Sequence, residues 1–171
     1  IQDILTVSRL DQVETLIRDV VDLTAVIHDV EDNLRSRAEA KRQIIKLDLA
    51  PKLPRIHGNK EDLWRMVANL LENAINYTHS GGQITVETRS QSAGVMIVIW
   101  DTGMGISQEQ LPHIFERFYR VLGSSESGSG LGLPIVREIA ELHRAKVSLI
   151  PNPCGKGTIA QVVFPRSRGA L

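Results

Sequence analysis

Residues 59–106 read "NKEDLWRMVANLLENAINYTHSGGQITVETRSQSAGVMIVIWDTGMGI". Asn59 is a side-chain acceptor placed just ahead of Leu63, Val67, Leu70, Leu71 and Ala74, apolar positions that recur every three or four residues. That spacing predicts a helix with one buried stripe, capped by Asn59, with Asp62 at the reciprocal position of a capping box. Ser80-Gly81-Gly82 ends it. Two strand patterns follow, "QITVETRS" and "GVMIVIW", close enough in sequence to pair as a hairpin. The second delivers Asp101 into the glycine-bearing turn "DTGMGI".

The flanking segments fit around this unit. Upstream, residues 1–14 place Ile1, Ile4, Leu5 and Leu10 near helical spacing, as in the last turns of an amphipathic helix. Residues 15–22 suit a short strand, and Asp22 a helix cap. The helix it opens is predicted to run to about Lys41, with Leu23, Ile27, Val30 and Leu34 inward. "IIKLDLAPKLPRIHG" reads as two extended pieces broken by Pro51 and Pro54. Downstream, "LPIVREIAELH" predicts another helix, then "KVSLI" and "GTIAQVVF" two closing strands. Helices and antiparallel-type strands mix without a βαβ rhythm, which predicts an α+β sandwich: a mixed, mostly antiparallel sheet on about three helices.

Composition excludes several classes. Of 171 residues, 42% are apolar, enough for one domain with a short appendage. Twenty basic residues balance twenty acidic ones, which argues against binding nucleic acid by bulk charge. The longest apolar run, Ala93 to Trp100, falls far short of the roughly 20 residues a spanning helix needs, so no membrane contact is expected of this stretch. The chain opens at Ile1, which suggests a piece of something longer. With one cysteine, Cys154, an internal disulfide is excluded, consistent with a reducing compartment.

Residues 101–133 do not read as core. Six of the thirteen glycines sit there, at 103, 105, 123, 128, 130 and 132, where backbone approaching a ligand would need them. Asp101 is acceptor-only when ionised, so at the bottom of an apolar pocket it would take the amino group of adenine and reject the carbonyl of guanine. "GSGLGLPIVREI" is a glycine-rich turn opening a helix, with Pro134 in the first turn, and helix-terminal amides favour phosphate. Asn69, Asn73 and Asn76 fall at i, i+4 and i+7, on a stripe beside the buried one. A carboxamide oxygen is a suitable hard ligand for Mg²⁺. Taken singly, each of these motifs is equally compatible with a capped turn, a linker or a solvated face.

In order and spacing, "NLLENAINYTHSGG", "VIWDTGMGI", "IFERFYR" and "GSGLGLPIVREIAELH" resemble the N, G1, F and G2 boxes of the sensor histidine kinase ATP-binding domain. That domain is shared more widely with gyrase, heat-shock chaperone and mismatch-repair ATPases. The resemblance covers about residues 15–166 and implies a Bergerat-type two-layer sandwich that binds Mg²⁺-ATP. It makes residues 15–171 the catalytic domain and 1–14 the tail of a dimerisation and phosphotransfer helix. By this resemblance Asn73 holds Mg²⁺, while Asn69, Asn76 and Tyr77 belong to the phosphate and ribose region. Asp101 takes the adenine amino group, with Gly103, Gly105 and Ile106 beneath the base. Gly128, Gly130, Leu131 and Gly132 form the hinge of a lid, and Arg120 stands near the γ-phosphate as the catalytic cation. Phe115 and Phe118 pack the lid's base.

The implied partners are ATP, the phosphotransfer domain of the same protein and a response regulator, in the cytoplasm. The chain departs from the family at three places. Asn76 stands where Lys is usual, Arg144-Ala145 where two glycines are, and the segment 121–127 is short and, read on to Gly130, serine-rich and expected to be mobile without nucleotide. No acceptor histidine is evident: His28-Asp29 has no following Pro, and His57, His79, His113 and His143 are scattered singly, read as solvated or locally bonded. A clamp ATPase is an alternative, but the position for its water-activating Glu, four residues before Asn73, is Asn69, and Glu72 points about 100° away around the helix. A non-catalytic interaction module is the other alternative.

Overall fold

The computed structural model describes residues 19–119, 130–153 and 155–166. Its elements are β1 (Asp19–Val21), α1 (Leu23–Ala40), β2 (Ile44–Asp48), β3 (Ile56–Gly58), α2 (Lys60–Tyr77), β4 (Gln83–Gln91), β5 (Gly94–Asp101), α3 (Gly132–Leu142), β6 (Lys146–Pro151) and β7 (Thr158–Pro165). The expected appendage, residues 1–14, lies outside the described residues.

Five strands form one sheet in the order β2-β4-β5-β7-β6, and β1 pairs with β3 in a separate two-stranded ribbon. Only the β2–β4 pair is parallel; β4–β5, β5–β7 and β6–β7 are antiparallel. The α+β sandwich expected from the sequence is the observed one. The three helices among the described residues cover the sheet, and the core fills the space between. Ile84 and Val86 of β4 and Ile97 and Ile99 of β5 point inward by strand alternation. They meet the stripe of α2, where Leu63, Val67, Leu70, Leu71 and Ala74 are all buried, as are Leu23, Ile27, Val30 and Leu34 of α1.

The helix starts follow local chemistry. Asp22 caps α1 by accepting from the Ala25 amide at 3.2 Å, and Asn59 Oδ1 caps α2 by accepting from the Asp62 amide at 3.0 Å. The reciprocal half of the expected capping box is not made by Asp62. Aspartate is one methylene shorter than the glutamate that normally reaches back. The Asn59 amide instead donates to His143 Nε2 at 3.0 Å, while His143 Nδ1 donates to the Ile139 carbonyl at 2.8 Å. His143 is only 7% exposed, and Gly58 backs onto its ring so closely that a Cβ there would lie 2.7 Å from Cδ2. Read from sequence as a lone imidazole, it ties the end of α3 to the start of α2.

The helix ends are settled by tertiary contacts. α2 stops at Tyr77, ahead of the glycines at 81 and 82, because side chains from the α1–β2 connection occupy its last carbonyls. Lys41 Nζ donates to Ile75 and Asn76 at 2.9 and 3.0 Å, and Gln43 Nε2 to Ile75 and Thr78 at 2.9 and 2.6 Å. α1 and α3 both end in Schellman motifs: Gln43 N donates to Ala38 O and Arg42 N to Glu39 O, and likewise Ala145 N to Ala140 O and Arg144 N to Glu141 O. The left-handed residue in each is an arginine, Arg42 at φ 54° and Arg144 at φ 53°. Glycine takes that conformation at no Cβ cost. Arg144→Gly should therefore raise stability by about 0.5–1 kcal/mol, seen as a higher urea midpoint with an unchanged slope.

Candidate functional site

β5 ends in Asp101, which is 6% exposed. Its Oδ1 accepts from the Gly103 amide at 2.8 Å and from the Thr158 amide at 3.3 Å. Among the described residues no donor is bonded to Oδ2, leaving that oxygen for a partner from the cavity. Desolvation by burial pushes the Asp101 carboxyl above its ordinary range, and the two backbone bonds partly oppose this.

Asp101 lines an open cleft enclosing about 710 Å³ when the solvent at its mouth is counted. One wall is α2, through Leu70, Asn73, Ala74 and Tyr77. The sheet contributes Ile99, Leu149, Thr158 and Ala160, and the loop after β5 contributes Met104, Gly105 and Ile106. Ile114, Tyr119 and Leu133 complete the lining. The surface is mainly apolar with a few oriented polar groups, suited to a flat heteroaromatic ring bearing a polar tail.

Backbone closeness builds the floor. A Cβ at Gly103 would stand 2.2 Å from the Tyr77 carbonyl, which accepts from the Met104 amide at 3.1 Å, so the loop lies directly on the end of α2. At Gly157 a Cβ would meet the Asp101 carbonyl oxygen at 1.8 Å, and its φ of 115° also excludes an ordinary side chain.

Of the residues singled out from sequence, Asn73, Tyr77, Asp101, Gly105 and Ile106 line this one cleft. Gly103 shapes its floor from beneath. Asn69 is turned along its own helix, its Nδ2 donating to the Arg65 carbonyl at 2.8 Å, while a side chain at Gly132 would begin 3.1 Å from its Oδ1. Gly130, at φ 70°, and Leu131 lead into α3, whose N-terminus has no side-chain cap. These three and Asn69 flank the cleft without lining it. Asn76 does not face the cleft. Its Oδ1 accepts from Arg37 Nη2 of the neighbouring helix α1 at 3.3 Å. Arg120 and Gly128, with the serine-rich segment, lie outside the described residues.

Phe118 is 72% exposed at φ 65°, its amide donating to the Gly130 carbonyl; the lid whose base it was expected to pack lies outside the described residues. Phe115 sits beneath the Arg137 guanidinium, 5.7 Å from ring centre.

A family model described as the histidine kinase-, DNA gyrase B-, and HSP90-like ATPase matches residues 58–168, which include the α2 wall, Asp101 and Thr158. The chain belongs to that ATPase family. It is 35% identical over 170 residues to the sensor histidine kinase RppB of Synechocystis sp., covering 96% of this chain and 37% of that protein. PmrB, a sensor protein kinase of Pseudomonas aeruginosa, is 37% identical over 172 residues, with 98% and 35% covered. The chain thus spans about a third of the length of these curated relatives. Among solved structures, the mycobacterial sensor histidine kinase MprB superposes with a TM-score of 0.76 at 30% identity, covering 87% of this chain and 97% of that one. Full-length ShkA in complex with AMPPNP superposes at 0.77 with 25% identity, covering 91% and 32%.

Sequence reasoning missed part of this cleft. Thr158 and Gly157 hold Asp101 from a strand 57 residues away. The dipeptide is visible in "GKGT", yet its target depends on the β5–β7 register, which sets Trp100 opposite Ile159. Met104, Ile114 and Tyr119 give no signal beyond being apolar or aromatic near the glycine loop.

Two outcomes follow. Gly157→Ala should cost on the order of 2–3 kcal/mol, because the added methyl must displace the end of β5. Gly155→Ala, where a Cβ meets nothing within 4 Å, should cost clearly less in the same denaturation series. The raised Asp101 carboxyl sets a pH dependence of opposite sign to a paired acid. The folded chain holds the proton more tightly than the unfolded one, so the destabilising contribution of the ionised group is absent below the unfolded value. It grows as pH rises through the native one. Relative to Asp101→Asn, the wild type should therefore lose stability from about pH 4 upward, then run parallel to the variant.

Proposed function

We propose that this chain is the catalytic ATP-binding part of a sensor histidine kinase. In this reading it binds Mg²⁺-ATP and presents the γ-phosphoryl to a histidine on a dimerisation and phosphotransfer domain of the same protein. A response regulator then receives the phosphoryl group, on the cytoplasmic side of whatever sensor the full protein carries. The observation that carries the reading is the shared cleft: a buried carboxylate with one oxygen held by amides and the other open, facing the same space as the Asn73 carboxamide. The complex of full-length ShkA, which this chain resembles, with AMPPNP supports a nucleotide as the occupant.

The roles follow from chemistry. Asp101 accepts from an exocyclic amino group, and the apolar walls sandwich a ring. Tyr77 and Asn73 then meet the sugar and phosphate portion. Among the described residues no group of three or more His, Cys, Asp or Glu side chains could hold a metal. A Mg²⁺ ion would therefore take the Asn73 oxygen and complete its shell from phosphates and water, neutralising charge on the tail. For the protein, catalysis of phosphoryl transfer is mainly positioning and charge stabilisation. Among the described residues no helix is long and apolar enough to cross a membrane. Glu72, the acid nearest Asn73 in sequence, is bonded to Arg37 on the outer flank of α2, which disfavours a water-activating role.

Calorimetry with Mg²⁺-ADP and Mg²⁺-ATP tests the assignment. Asp101→Asn keeps an acceptor for the Gly103 and Thr158 amides but turns a donor toward the base. It should weaken both nucleotides by roughly tenfold or more while the protein stays folded. Radiolabelled ATP should leave no acid-labile phosphate on this chain alone. Unaltered affinity in the variant would remove Asp101 from the site.

A further inference from the structure

β5 runs between two cavities. Asp101 ends the strand at the cleft already described, and Gly94 begins it, about 20 Å away along the chain. At the Gly94 end, the β4–β5 hairpin, the end of β7 and the segment entering β3 enclose a second cavity. It measures about 950 Å³ when the solvent at its mouth is counted. Arg55, ahead of β3, and Arg166, after β7, both line it, together with Ser90 and Ser92 of the hairpin. Among the described residues that line it there is no Asp or Glu.

Two positive charges on one cavity are normally answered by acids, and here they are not. Arg89, next to Ser90, donates to Glu87 Oε2, and Glu87 Oε1 accepts from Trp100 Nε1 at 3.0 Å, so the acid of β4 nearest the hairpin is engaged elsewhere. Among the described residues the guanidinium groups of Arg55 and Arg166 have neither an ion pair nor a hydrogen bond. Their backbones, by contrast, are fixed. A Cβ at Gly94 would lie 1.9 Å from the Phe164 carbonyl oxygen, and the Arg166 amide donates to the Ala93 carbonyl at 3.0 Å, so the hairpin lies against the strand end that bears Arg166. Arg55 is placed by its neighbour Ile56, which is buried and paired with Val21. Anchored backbone with unspent donors lowers the cost of ordering the site around an anion.

The donor set selects among anions. One guanidinium fork satisfies the two oxygens of a carboxylate, whereas two forks with hydroxyls beside them match the three oxygens and near-double charge of a phosphate monoester. The space exceeds what a phosphoryl group fills, and Ile56, Val95 and Pro165 offer apolar surface to the rest of a ligand. We propose that this cavity binds a small organic phosphate monoester, its phosphoryl group held by Arg55 and Arg166 and its apolar body set against Ile56, Val95 and Pro165. The site lies at the opposite end of the sheet from Asp101 and does not depend on the nucleotide reading.

Amide NMR titration of this chain with phenyl phosphate, inorganic phosphate and benzoate, without added metal, tests the proposal. Phenyl phosphate should shift the amides of Ser90, Ser92, Val95 and Arg166 and bind roughly tenfold more tightly than either of the others. Arg55→Gln and Arg166→Gln should each weaken it by about tenfold, while the remaining amide signals stay in place and report an intact fold. Arg144→Gln removes the same charge at the end of α3 and should leave binding unaltered, as should Asp101→Asn in the cleft. Shifts confined to residues 103–106 and the start of α3, or undiminished binding in both arginine variants, would overturn the proposal. Benzoate binding as tightly as phenyl phosphate would overturn it as well. Equal affinity for inorganic and phenyl phosphate would mean an adventitious ion only, which also overturns it.

Discussion

A carboxylate persists at the dry end of β5 because two backbone amides from different parts of the chain converge on one of its oxygens. The Gly103 amide is supplied by the turn that follows, and the Thr158 amide arrives across the β5–β7 pairing. Neither could reach if side chains intervened, since Gly103 lies against the Tyr77 carbonyl and Gly157 against the Asp101 carbonyl. The cost of burying the acid shows in its raised proton affinity. What it provides is an acceptor of fixed direction at the base of an apolar cleft, where hydrogen bonding discriminates most strongly.

The rest of the fold keeps α2 in place above that acid. Its first turn is held by Asn59 and by His143 reaching from the end of α3, and its last carbonyls by Lys41 and Gln43. Apart from the local Asn59 cap these bonds are non-local, and all of them leave the cleft-facing side of the helix free to present Asn73 and Tyr77. The helix is thereby divided by function around its circumference. One face packs on the sheet, one lines the cleft, and a third carries Glu72 and Asn76 against Arg37 of α1.

Much of the architecture was legible because it rests on local chemistry. Asp22 and Asn59 are acceptors at the right distance from free amides, and the apolar spacing of α1 and α2 matches the residues found buried. Asp101 could be named because a strand pattern ends in it and glycines follow. Thr158 could not, since nothing near it in sequence announces an acid. His143 looked solitary for the same reason: the Asn59 amide it accepts from is 84 residues away. Asn76 misled because even spacing along a helix says nothing about which neighbour each side faces.

Sequence alone therefore determined where the helices and strands begin, which stripes are apolar, and that an acid, a row of carboxamides and glycine-rich turns exist in this order. Those properties depend on interactions spanning a few residues, and helical and strand periodicities express them directly. Tertiary structure alone decided that Asp101 and Asn73 share a cavity, that Asn76 belongs to Arg37, and that His143 joins two helices. Such facts depend on strand register and helix packing, where one residue of slip or a small rotation exchanges every neighbour while leaving the local pattern unchanged.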